Sequence, residues 1–143
     1  MLGWIFSSIA MFAISYVWHG IILNDYERIT YPFGIYLISA GIVYLVIGFA
    51  ISRIFIAEFL DRYSEKALPR GILTGIGMGA IVFMSTLVFG VSFSSISEPQ
   101  FIVVDLVWQV FEQMLGGLIV GLVYLLVFEF VPQPMENEAE KNQ

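Results

Sequence analysis

The sequence predicts an all-α fold: a four-helix transmembrane bundle with short loops, both termini on the cytoplasmic side and a disordered acidic C-terminal tail. Three observations carry that prediction. Of 143 residues, 59% are hydrophobic and only 13% are charged, roughly half the charged share of a soluble domain. The apolar residues gather into four runs, each near or above the roughly 20 residues that cross a bilayer. Short polar breaks holding Pro, Asn or clustered charges separate the runs.

The first run is Leu2 to Leu23. No Lys or Arg precedes it, and bulky Trp18 and His19 occupy its end, so a retained helix is expected in place of a cleaved signal. Ser8, Ser15 and His19 fall within about 40° of one another on an ideal helix, making a polar stripe. A polar connection with Asp25, Glu27 and Arg28 follows, and Tyr26, Tyr31 and Tyr36 suit an interfacial aromatic belt. The second run, Phe33 to Phe59, is longer than a perpendicular span needs and is expected to tilt or to leave the membrane near Arg53 and Glu58.

Leu60 to Arg70 is the most charged loop. The third run, Gly71 to Phe93, opens with Gly71, Gly75 and Gly79 at four-residue spacing, a small-residue surface for a neighbouring helix. Gly77 completes a GIGMG string, but no strand–helix unit follows that would make it a nucleotide loop. The fourth run, Phe101 to Val131, carries Gly117 and Gly121 at the same spacing. Pro132 and Pro134 end it, and residues 132–143 form the polar tail. The single domain is therefore residues 1–131, with helices at about 2–23, 33–59, 71–93 and 101–131.

Orientation follows from basic residues. With four spans, Arg53, Arg62, Lys66, Arg70 and Lys141 share one side and Arg28 alone lies on the other. The richer side is cytoplasmic, and a bacterial cytoplasmic (inner) membrane is the expected location. A net charge of −6 excludes the basic footprint that nucleic acid requires. Without cysteine there are no disulfides, zinc–thiolate sites or thiol nucleophiles.

The polar residues of the fourth run are the candidate site. Asp105, Gln109, Glu112 and Gly116 fall within about 60° of one another around a helix, flanked by Trp108 and Gln113. A carboxyl at that depth costs several kcal/mol unless it faces protein or water, so the stripe is expected to face inward. Glu112 lies about 10 Å deeper than Asp105. No Lys or Arg in any span reaches its depth, leaving a proton or histidine as its partner. His19, the only histidine, is expected nearer Asp105. A helix-end histidine in contact with water competes with roles as proton relay, metal ligand or porphyrin ligand. Neither a paired-His nor an HExxH spacing supports a metal. Trp18 and Trp108 read as interfacial anchors or as walls of a ligand pocket.

Around Tyr16-Val-Trp-His-Gly-Ile-Ile-Leu-Asn-Asp25, and at Val104-Asp-Leu-Val-Trp108 followed by Gly116-Gly117, the chain resembles short four-helix bacterial membrane proteins of a domain-of-unknown-function family. The resemblance implies a four-helix fold and no particular activity. A more distant likeness to tryptophan-rich sensory proteins implies tetrapyrrole or sterol binding, but their five helices and Trp- and Pro-rich loop pattern are absent here.

Three function classes fit, in descending order. The first is a membrane protein binding a small ligand, ion or proton in the outer half of the bundle through His19, Asp105, Gln109 and Glu112, with Trp18 and Trp108 beside them. The second is an accessory subunit whose polar stripe is structural, held in a larger membrane complex. The third is an intramembrane enzyme relying on carboxylates alone. Four short spans enclose little interior, so a homo-oligomer or larger complex is expected in the lipid bilayer.

Overall fold

The computed structural model describes residues 2–28, 32–60, 64, 66–93 and 99–129. The expected tail lies outside them, as do Arg62 and Lys141. Helix α1 spans Gly3–Ser15 and continues as a π-helical segment, Tyr16–Ile22; α2 spans Phe33–Phe55, α3 Ala67–Phe93 and α4 Pro99–Tyr124, which ends in a second π segment, Leu125–Glu129. Short 3₁₀ turns at Asp25–Arg28 and Glu58–Leu60 complete the order, and there is no strand among the described residues. All four helices are long and apolar enough to cross a membrane, as in an integral membrane protein. A helix of twenty residues covers about 30 Å, the thickness of the hydrocarbon layer.

Two helix ends differ from the sequence expectation. α2 stops at Phe55, and its cap residue Ile56 has left helical geometry at φ −89°, ψ 3°. Phe55 and Leu60 are both buried, so the chain turns back early to cover apolar surface. Arg70 stabilises that turn by donating from Nη2 to the Ala57 carbonyl at 2.7 Å and lying 5.5 Å over the Phe55 ring. A cation there complements the negative end of α2. α3 in turn starts at Ala67, ahead of the expected Gly71. Pro69 falls within its first turn, where the missing N–H would have no partner anyway.

Packing follows the small residues. α3 and α4 form the most extensive pair, and α1 packs on both α2 and α4. A Cβ at Gly71 or Gly75 would collide with the Gly117 or Gln113 carbonyl, and one at Gly79 would lie 2.7 Å from the Val110 Cα. From the other side, a Cβ at Gly117 would strike the Gly71 carbonyl, and one at Gly121 would lie 2.7 Å from the Ala67 carbonyl oxygen. The α1–α4 crossing uses Gly116, against Met11 and Ser7, and Ser7 Oγ donates to the Gly116 carbonyl at 2.8 Å. The α1–α2 crossing sets Gly48 against Ser8 and the Trp4 carbonyl. Close backbone approach increases dispersion contact where lipid removes any hydrophobic drive between helices. Elsewhere on α3, the Thr74, Ser85 and Thr86 hydroxyls donate to carbonyls one turn earlier, which satisfies them without a partner helix.

Leucine at Gly75 or Gly117 should lower stability by at least about 1–3 kcal/mol, because backbone must move to admit it. Leucine at Gly41, where a Cβ meets nothing within 4 Å, should be nearly neutral. Gly3, whose Cβ would make ordinary contact with Val123 at 3.5 Å, should fall between. Thermal unfolding in detergent checks the order, and equal tolerance at all four positions would dismiss the close-approach account.

Candidate functional site

Among the described polar side chains, Glu112 and Gln113 are the two largest that are fully buried, at 1% and 0% exposure. Their position on α4 is a consequence of helical spacing. One turn on, Gly116 and Gly117 admit α1 on one side and α3 on the other. Both neighbours therefore come close enough to exclude lipid from the carboxyl. A carboxyl removed from water needs hydrogen-bond partners to offset its desolvation, and they arrive from other helices.

Ser15, in the last turn of α1, and Tyr44, from α2, both hydrogen-bond to the Glu112 carboxyl through their hydroxyls. The same two hydroxyls also lie within hydrogen-bonding reach of each other. Gln113 adds a long contact, its Nε2 donating to Glu112 Oε1 at 3.4 Å. The Trp108 indole interacts with this carboxyl too, although its buried Nε1 makes no hydrogen bond of normal length. Three helices thus converge on one carboxyl.

The first π segment shapes the side of this cluster nearest the end of α1. Leu23 N–H bonds to the Trp18 carbonyl five residues back, at 2.9 Å, so one more residue fits into the turn than in an α-helix. Trp18 then stacks on Trp108 across the helix pair, with ring centroids 4.1 Å apart and planes 12° from parallel. Gly20 admits the Tyr26 ring against its backbone. Tyr26 in turn packs on Tyr16, Phe33 and Tyr36 at centroid distances of 5.3 to 5.5 Å. Asn24, at φ 54°, makes the left-handed turn that ends the segment, a conformation asparagine tolerates better than most residues. Single π turns within membrane helices are often found at functional positions.

Of the sequence candidates, Glu112 is buried, Gln109, Trp108, Trp18 and His19 are half-buried, and Asp105 is exposed. The inward stripe therefore fades toward the start of α4, where no neighbouring helix covers Asp105. His19, expected beside Asp105, is half-buried in the π segment that follows α1. Tyr44 was not a sequence candidate. Its signal was a lone phenol at the midpoint of an apolar span, away from the interfacial belt to which tyrosines are usually assigned. No three His, Cys, Asp or Glu side chains come together among the described residues as a metal site would need.

At the opposite end of the bundle lies a cavity of about 190 Å³, lined by Leu2, Phe55, Val120, Val123 and Tyr124 among others. It is almost wholly apolar and separate from the carboxyl. Comparisons with protein-family models, with curated proteins and with solved structures find no match to this chain. The chemistry must therefore be read from the cluster itself.

Tyr44→Phe removes a hydroxyl from a buried carboxyl and should cost about 1–3 kcal/mol. Ser85→Ala, which deletes an exposed hydroxyl bonded only within its own helix, should leave stability almost unchanged. Comparing their unfolding in detergent checks whether the α2 hydroxyl supports the cluster.

Proposed function

We propose that this chain is a multi-pass protein of a bacterial cytoplasmic membrane that binds and releases a proton at Glu112. The observation that carries the reading is a fully buried carboxyl hydrogen-bonded from α1 and α2 in spans whose only Lys or Arg residues, Arg53 and Arg70, belong to the opposite end of the bundle. An ionisable group held at membrane depth without a Lys or Arg partner is a functional group by default. Its exchangeable partner is then a proton, the smallest cation and the one that needs no cavity.

The route to water runs along α4. Asp105, Gln109 and Glu112 lie on one face, and their burial grades from exposed through half-buried to buried. Asp105 collects the proton at the helix end, Gln109 bridges, and Glu112 receives it. His19, half-buried in the π segment, is the second group on the route. Trp18 and Trp108 wall the path off from lipid. The excess of Lys and Arg on the Ser64 side supports a cytoplasmic position for Ser64 and both termini, with this route on the outer side.

Infrared difference spectra recorded across pH should contain a protonated-carboxyl band that disappears in Glu112→Gln, while the variant retains its helical content. In sealed vesicles the same variant should lose proton exchange through the protein by at least about tenfold. Absence of any pH-dependent carboxyl band sinks the reading. A Gln variant that exchanges protons as the native chain does, in a chain stable only with another protein, favours the accessory-subunit role. Cysteine placed at Ser64 should react only with membrane-permeant reagents in intact cells; labelling by an impermeant one reverses the orientation.

A further inference from the structure

The Gln113 amide is one of two groups beside the carboxyl, with the Trp108 indole, that hold a buried polar atom without a hydrogen-bond partner. Its side chain is 0% exposed, its Nε2 donates to Glu112 Oε1 at 3.4 Å, and its Oε1 is buried with no hydrogen-bond partner. A buried acceptor left unpaired calls for a donor. The amide's two ends have nearly the same shape and opposite hydrogen-bonding sense.

We propose that Gln113 is a positioning residue whose amide turns over to match the proton on Glu112. This rests on the proton-handling reading above. When the carboxylate is ionised, Nε2–H faces it and donates. When the carboxyl carries its proton, the amide rotates about its last side-chain bond, and Oε1 accepts from the carboxyl O–H. The orphaned acceptor is thus relieved in one of the two states only.

The packing permits this motion and little else. The Gln113 carbonyl lies against Gly75, and its Cβ is 3.3 Å from where a Cβ at Gly79 would stand. Its backbone and first side-chain carbon are therefore fixed by α3, and the terminal amide is the part left to move. The ionisable groups around the pair are Tyr44 on α2 and His19 in the π segment after α1. α3 contributes only Arg70, in its first turn and bonded to the Ala57 carbonyl; Gly71 to Phe93 contains no Asp, Glu, His, Lys, Arg or Tyr. On α4 the nearest other carboxylate is exposed Asp105.

The test is nuclear magnetic resonance of the full chain in nanodiscs with ¹⁵N-labelled glutamine side chains. The Gln113 NH₂ signal is assigned by its loss in Gln113→Met. It should shift with pH at the same midpoint as the Glu112 carboxyl band and become pH-independent in Glu112→Gln. Gln113→Met, of similar volume without an amide, should displace the carboxyl midpoint by about one pH unit, a tenfold change in proton affinity. A Gln113 signal that stays fixed while Glu112 titrates overturns the inference and leaves the proton-handling reading standing. A Glu112 that never titrates overturns both. Should the Met variant fail to fold, the signal of the native chain still decides.

Discussion

The close approach of α3 to α4 is the constraint on which the rest of the structure depends. Gly71, Gly75 and Gly79 on one helix meet Gly117, Gly121 and the Gln113–Met114 backbone on the other. No hydrophobic drive holds helices together in lipid, so contact area gained by bringing backbones together has to serve. The consequence is chemical as well as mechanical. With α3 pressed against this face of α4, lipid is kept from the residues just beyond it, Glu112 and Gln113. A side chain at any of these glycines would open that seam beside the carboxyl.

The polar cluster follows from that seal. Once enclosed, Glu112 cannot borrow hydrogen bonds from water and takes them from Ser15 and Tyr44. The same bonds tie α1 and α2 to α4, so the residue that costs most to bury also specifies how three helices meet. Ser7, bonded to the Gly116 carbonyl, repeats the arrangement one turn deeper. Polar contacts of this kind are individually modest in membranes, but they are directional, which dispersion contacts between glycines and alkyl chains are not.

How much of this was legible in the sequence depends on which physical rule applied at each residue. Four spans could be read because length and apolarity alone determine them. The burial of Glu112 and Gly116 could be read because helical spacing projects them onto one face. The same projection brought in Asp105, which is exposed: periodicity says which way a residue points, not where the neighbouring helix stops. The π segment at Tyr16–Ile22 lay beyond a reading at constant angle per residue, since its extra residue is accommodated by tertiary contacts of Trp18 and Gly20. Tyr44 was passed over because composition assigns tyrosine to the membrane surface, and only the fold of α2 against α1 and α4 shows its hydroxyl at the carboxyl.

The π segment and the buried carboxyl are connected by geometry. An α-helical continuation of α1 would rotate every residue after Ser15 by the angle of the extra residue, carrying the Trp18 ring off Trp108. The stack at 4.1 Å and the Tyr26 ring against Gly20 are the contacts that hold the wider turn, which by itself has poorer hydrogen-bond geometry than an α-helix. Trp108 belongs both to this stack and to the surroundings of Glu112. Any change in charge at the carboxyl is therefore felt by an indole that is also part of the clamp on the π segment, and through it by His19. The π segment that follows α1 is the element of the bundle most directly exposed to the state of Glu112, whereas the α3–α4 seam, backed by backbone on both sides, is the least able to yield.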